Sequence, residues 1–112
     1  MPVVITVRVG SDANETLNGT GGTDMMFGLN GANTINGNAG NDLLCGGNGS
    51  DTLNGGDGND FLNGQNGTDT LNGGNNDDKL TGGKGADAFS GGPGTDTNVD
   101  FSAGQGDTTD GT

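Results

Sequence analysis

Apolar residues are few in this chain, and they keep a fixed period. Met26, Ile35, Leu44, Leu53, Leu62, Leu71, Leu80 and Phe89 stand nine residues apart, and Asn98 breaks the series. Most are flanked by polar or small residues. Each copy therefore reads as a three-residue strand whose middle side chain points one way and whose neighbours point the other. The residues between strands carry a second periodic signal. Two positions before each apolar residue lies Asp24, Asn33, Asp42, Asp51, Asp60, Asp69, Asp78, Asp87 or Asp96. Five positions before each of those lies Gly19, Gly28, Gly37, Gly46, Gly55, Gly64, Gly73, Gly82 or Gly91, and another Gly stands two before each, except at Asn76. Glycines allow the positive φ angles of sharp turns, so the chain reads as turn, short strand, turn, short strand. An eroded copy precedes these, with Gly10, Glu15 and Leu17 in phase.

This period predicts an all-β fold, a parallel β-roll or β-solenoid. One nonapeptide makes half a coil, and two make an 18-residue coil with a strand on each side. Five coils are expected, over 10–27, 28–45, 46–63, 64–81 and 82–99. At about 4.8 Å per hydrogen-bonded strand they give a rod of about 24 Å, with two facing rows of aliphatic side chains as a thin core. The chain divides into an N-terminal β-strand or joining segment (1–9), the solenoid (10–99), and a closing segment with a polar tail (100–112).

The repeat resembles the RTX family, whose GGxGxDxUx nonapeptide builds calcium-binding β-helices. Gly46-Gly47-Asn48-Gly49-Ser50-Asp51-Thr52-Leu53-Asn54 is the fullest copy, and the resemblance runs from about residue 10 to 101. It implies calcium in the turns, export of the unfolded chain, and folding outside the cell. Stacking puts Asp24, Asp42, Asp60, Asp78 and Asp96 in one row, and Glu15, Asn33, Asp51, Asp69 and Asp87 in the other. Calcium takes six to eight oxygens from carboxylates and backbone carbonyls, and each inter-coil site can draw one Asp from each coil. Six sites with two carboxylates are expected. Asn33 and Glu15 make one or two poorer ones, because Asn keeps an oxygen and loses the charge. The total is six to eight Ca2+ ions.

Composition sharpens this reading. Of 112 residues 27 are Gly, only 26% are hydrophobic, and the net charge is −12 with Arg8, Lys79 and Lys84 the only basic residues. A chain so acidic cannot offset its ordering entropy through burial alone, unless a repeat makes a small core go far or a cation neutralises the carboxylates. Nucleic acid is excluded as a partner for want of a basic surface. No apolar run is long enough to span a membrane, and no N-terminal signal peptide is visible. No His is present and Cys45 is alone, so neither catalysis nor an internal disulfide is expected.

The outward strand positions differ between the two sides. One carries a ladder of Thr16/Asn18, Thr34/Asn36, Thr52/Asn54, Thr70/Asn72 and Ala88/Ser90, which reads as strand propensity and amide stacking or as a face for ice or a polysaccharide. The other begins with an apolar patch, Met25, Phe27, Leu43 and Phe61, of the kind that marks interfaces. Val3–Val9 reads as a β-strand that either caps the N-terminal coil or joins a neighbouring subunit. The expected function is a secreted calcium-binding structural protein that self-assembles end to end through Val3–Val9 and this patch. The alternative is a spacer, binding or secretion module of a larger RTX adhesin, toxin or exoenzyme.

Overall fold

In the computed structural model, which describes residues 4–100 and 106–109, the chain winds as an all-β solenoid with no helix among those residues. The strands in chain order are β1 (Thr6–Val9), β2 (Thr16–Asn18), β3 (Asp24–Phe27), β4 (Thr34–Asn36), β5 (Leu43–Asn48), β6 (Thr52–Asp57), β7 (Phe61–Asn66), β8 (Thr70–Asn75), β9 (Lys79–Lys84), β10 (Ala88–Ser90), β11 (Thr97–Asn98) and β12 (Thr108–Thr109). They alternate between two parallel sheets, ordered β1-β3-β5-β7-β9-β11 and β2-β4-β6-β8-β10-β12. Each coil contributes one strand to each.

Pairing joins identical repeat positions, as in Leu44↔Leu62 and Leu53↔Leu71. A one-residue slip would turn every periodic apolar side chain to solvent, and this fixes the register. Met26, Leu44, Leu62 and Leu80 form one inner row, and Ile35, Leu53, Leu71 and Phe89 the other. All eight are at most 2% exposed, with Leu17 packed against them. The core is two side chains wide.

The five expected coils are extended by half a coil at each end, which brings each sheet to six strands among the described residues. At the N-terminal end β1 stacks on β3, with Thr6↔Asp24 and Val9↔Phe27. It follows the period without the in-phase glycine turn that marks the other copies. It also sets Arg8 in the inward register over Met26, exposed at the open end. At the C-terminal end Ala88 pairs with Thr108, so this last register is 20 residues instead of 18. Val3 of the expected first strand, and 101–105 and 110–112 of the expected closing segment and tail, lie outside the described residues.

The turn glycines do two different jobs. Most of those in the second and fourth repeat positions are left-handed, as Gly47 and Gly49 are at φ of +104° and +120°, and Gly22 is the exception. Leu29, Asn38, Gln65 and Asn76 take the same left-handed backbone at φ between +71° and +79°. The first glycine is needed for space instead. A Cβ on Gly55 would stand 2.5 Å from Asp60 Oδ2 and 2.5 Å from the carbonyl oxygen of Gly73.

Candidate metal centre

Every turn ends on its Asp, or on Glu15 or Asn33 in the same place, and the coil stacking lines these residues up. In one row the backbone N–H of Asp24, Asp42, Asp60 and Asp78 donates to Oδ1 of Asp42, Asp60, Asp78 and Asp96 respectively, at 2.8–2.9 Å. In the other, the N–H of Glu15, Asn33, Asp51 and Asp69 donates to Oδ1 of Asn33, Asp51, Asp69 and Asp87, at 2.8–2.9 Å. Each side chain thus ties its own turn to the preceding coil through one oxygen.

The second oxygen has no such use. Oδ2 of Asp42, Asp51, Asp60, Asp69, Asp78, Asp87 and Asp96 is buried without a hydrogen-bond partner. A buried carboxylate oxygen left without a donor is costly, so it must be protonated or meet a cation. Asp60 and Asp69 are accordingly pushed up to about 7, and Asp42 and Asp78 to about 6. Asp51 and Asp87 are raised as well. Burial is the largest cause throughout, partly offset by the N–H of the preceding coil, with repulsion from neighbouring carboxylates smaller.

These oxygens fit a hard cation. Beside Asp60 Oδ2, the gap that a Cβ on Gly55 would fill is flanked by the Gly73 carbonyl of the next coil. Gly37 shows the same arrangement, with Asp42 Oδ2 at 2.6 Å and the Gly55 carbonyl at 2.5 Å from its absent Cβ. Among the described residues no three Asp, Glu, Cys or His side chains gather at one point. An ion here would therefore take most of its oxygens from backbone carbonyls, as calcium readily does.

Three of the sequence-predicted ligands have other partners. Asp24 Oδ2 accepts from the Thr20 N–H at 2.7 Å and, with Oδ1, from the Thr20 hydroxyl. Glu15 Oε1 accepts from both the N–H and the hydroxyl of Ser11. Asn33 Nδ2 donates to the carbonyls of Asn30 and Gly31 at 3.2 and 3.5 Å.

Two acids outside the predicted set complete the C-terminal coils. Asp107 Oδ1 accepts from the Asp87 N–H at 2.9 Å and so continues the second row. Its two-residue phase shift hides it from a strict nine-residue count. Asp100 occupies a first-glycine position, and its carboxylate accepts from the N–H groups of Gly82 and Gly83 at 2.8 and 2.6 Å. Cys45 stands half-buried on the outer face beside Leu43 and Phe27, and burial pushes its thiol up.

The model of the RTX calcium-binding nonapeptide repeat, in four copies, matches residues 9–44, 45–80 and 63–97. A search of curated proteins and one of solved structures find no match.

Proposed function

The chain belongs to the RTX calcium-binding nonapeptide repeat family, and on that premise we propose a secreted structural protein that calcium folds and that stacks end to end into an extracellular filament. The observation that carries the calcium role is the set of seven buried carboxylate oxygens, one per turn from Asp42 to Asp96, without a hydrogen-bond partner. Asp42, Asp60, Asp78 and Asp96 in one row, and Asp51, Asp69 and Asp87 in the other, are the ligands. Glycine-turn carbonyls complete each shell. Millimolar calcium outside the cell suits extracellular sites with dissociation constants of roughly 10⁻⁴–10⁻³ M. No His is present to serve as a general base, and with the seven buried acids assigned to the metal no catalytic role is proposed.

End-to-end stacking follows from the strand edges. Among the described residues β1 and β2 each pair on one side only, as do β11 and β12 at the other end. Such edges are templates for another strand. Val7 and Val9 of β1 are more than half exposed, and Phe61 is 36% exposed on the same sheet. A contact between unlike ends that does not close into a ring propagates as a filament. A second reading, a spacer or binding module within a larger RTX protein, is favoured by Asp100, which already caps the amides of the last coils. No helix among the described residues is long and apolar enough to cross a membrane.

Circular dichroism with and without EDTA tests the calcium role: β structure in millimolar calcium and its loss in chelator are expected, and an unchanged spectrum in full chelation refutes it. Negative-stain microscopy in calcium tests assembly. Long fibres from the full chain, reduced to short rods on deletion of residues 1–9, support the filament, whereas isolated rods from both support the module.

A further inference from the structure

The turns of this solenoid are of two kinds. We infer that the first three, 10–15, 19–24 and 28–33, are closed by the protein's own donors and take no calcium, so that ion loading begins at the turn ending in Asp42. The inference rests on the calcium reading and divides the turns within it.

The division appears at the second repeat position. From Leu29 onward this residue is left-handed, whether Leu29, Asn38, Gln65 or a glycine such as Gly47 or Gly56. Ser11 and Thr20 hold the same position in the first two turns without positive φ. Their N–H groups instead turn inward and donate to the carboxylates of Glu15 and Asp24. The hydroxyls add a second donor to each. A carboxylate oxygen supplied with two protein donors has no need of a cation, and none of the buried oxygens without a partner belongs to either residue.

The third turn reaches the same end by a different route. Its second residue is left-handed, as in the later turns, but its terminal residue is Asn33. The Asn33 amide nitrogen sits 2.7 Å from the point where a Cβ on Gly28 would lie. The corresponding atom elsewhere is the Asp Oδ2. From that place the amide donates to the carbonyls of Asn30 and Gly31. By the symmetry of the repeat, an Asp here would bring a third acceptor towards two carbonyls with no donor between them, and a cation is what such a set requires. The Asn33 amide therefore replaces an ion. It also marks the position the ion takes in the later turns.

Both replacements can be reversed by single substitutions. Thr20→Gly gives the 19–24 turn the sequence Gly-Gly-Gly-Gly-Thr-Asp, and Asn33→Asp gives the 28–33 turn its carboxylate. Native mass spectrometry of the full chain in millimolar calcium counts the ions on the folded species directly. Each of these variants is expected to carry one more calcium ion than the unaltered chain. Asp24→Asn is expected to carry the same number, and Asp60→Asn fewer. Loss of an ion in Asp24→Asn, or no gain in a folded Thr20→Gly or Asn33→Asp, overturns the division of the turns. Because the two gain variants alter different turns, a folding failure in one leaves the other to decide. An unaltered chain that binds no calcium overturns the calcium reading itself, a separate result from equal counts in all variants.

Discussion

The backbone N–H of Asp42 donates to Oδ1 of Asp60 at 2.8 Å, while Oδ2 of the same Asp60 is buried with no partner. One carboxylate thus serves two roles, and substitution can separate them. Asp60→Asn keeps an oxygen for the Asp42 amide and replaces the unpartnered oxygen with a donor. In chelator this should stabilise the fold. In calcium it removes a ligand, and losing one ion bound at a hundredfold its dissociation constant costs about 2.7 kcal/mol. Thermal melts of the two chains should therefore cross in order between calcium and EDTA. The same order in both conditions would rule out a cation at Asp60.

The pH dependence of the ion-free chain follows from the same oxygens. Unfolded Asp titrates near 3.9, whereas Asp60 and Asp69 in the fold are pushed up to about 7, and Asp42 and Asp78 to about 6. Between these limits the folded state holds more protons than the unfolded one, so stability is lost as pH rises and gained as it falls from about 7 towards 4. In EDTA, acidification from pH 7.5 to 5 should build β structure. In calcium, protons compete with the ion, and apparent affinity should fall over the same window. Circular dichroism in EDTA and calcium titration at each pH check the two arms. An EDTA sample equally unfolded at both pH values would contradict the burial argument.

The first glycine of each turn gives a steric test. A Cβ on Gly55 would lie 2.5 Å from both Asp60 Oδ2 and the Gly73 carbonyl, and the latter is backbone that cannot swing aside. Gly21 meets nothing within 4 Å. Gly55→Ala should therefore cost about 3 kcal/mol or more, as strain at a close-packed backbone does, while Gly21→Ala stays within about 0.5 kcal/mol. Urea midpoints in calcium measure both. Equal effects would mean that the gap beside Asp60 is not a constrained one.

Much of this was legible in the sequence because period and register are the same fact in a solenoid. Leu44 and Leu62 are paired because they are two nonapeptides, one full coil, apart. The acidic rows follow from the same count. What the count could not give is the state of each carboxylate, because that depends on backbone direction. Ser11 and Thr20 differ from Gly47 by one side chain, yet they turn an N–H into the acid where the left-handed residue does not. The ends were unreadable for another reason. β1 keeps the coil's register without its glycines, and Asp107 joins the second row two residues out of phase.

The left-handed positions support a last prediction, since they hold residues of unequal tolerance. Gln65 has φ of +76° and an exposed side chain, which gains little by burial, while its backbone sits where Cβ crowds the following carbonyl. Left-handed backbone costs a non-glycine residue about 1–2 kcal/mol, and the greater freedom of glycine in the unfolded chain returns up to about 1 kcal/mol of that. Gln65→Gly should therefore gain about 0.5–1 kcal/mol, or about 2–5 °C in calcium for a domain of this size. Leu29→Gly, at φ of +71° with a side chain more than half buried, should gain less, because the apolar burial it loses offsets the relief. Asn76→Gly should gain nothing, because Asn tolerates this region and its Oδ1 accepts from the Gly58 N–H at 3.2 Å. Melting curves of the three variants rank them. If Gln65→Gly instead lowers the melting temperature of the dilute monomer, the strain argument fails.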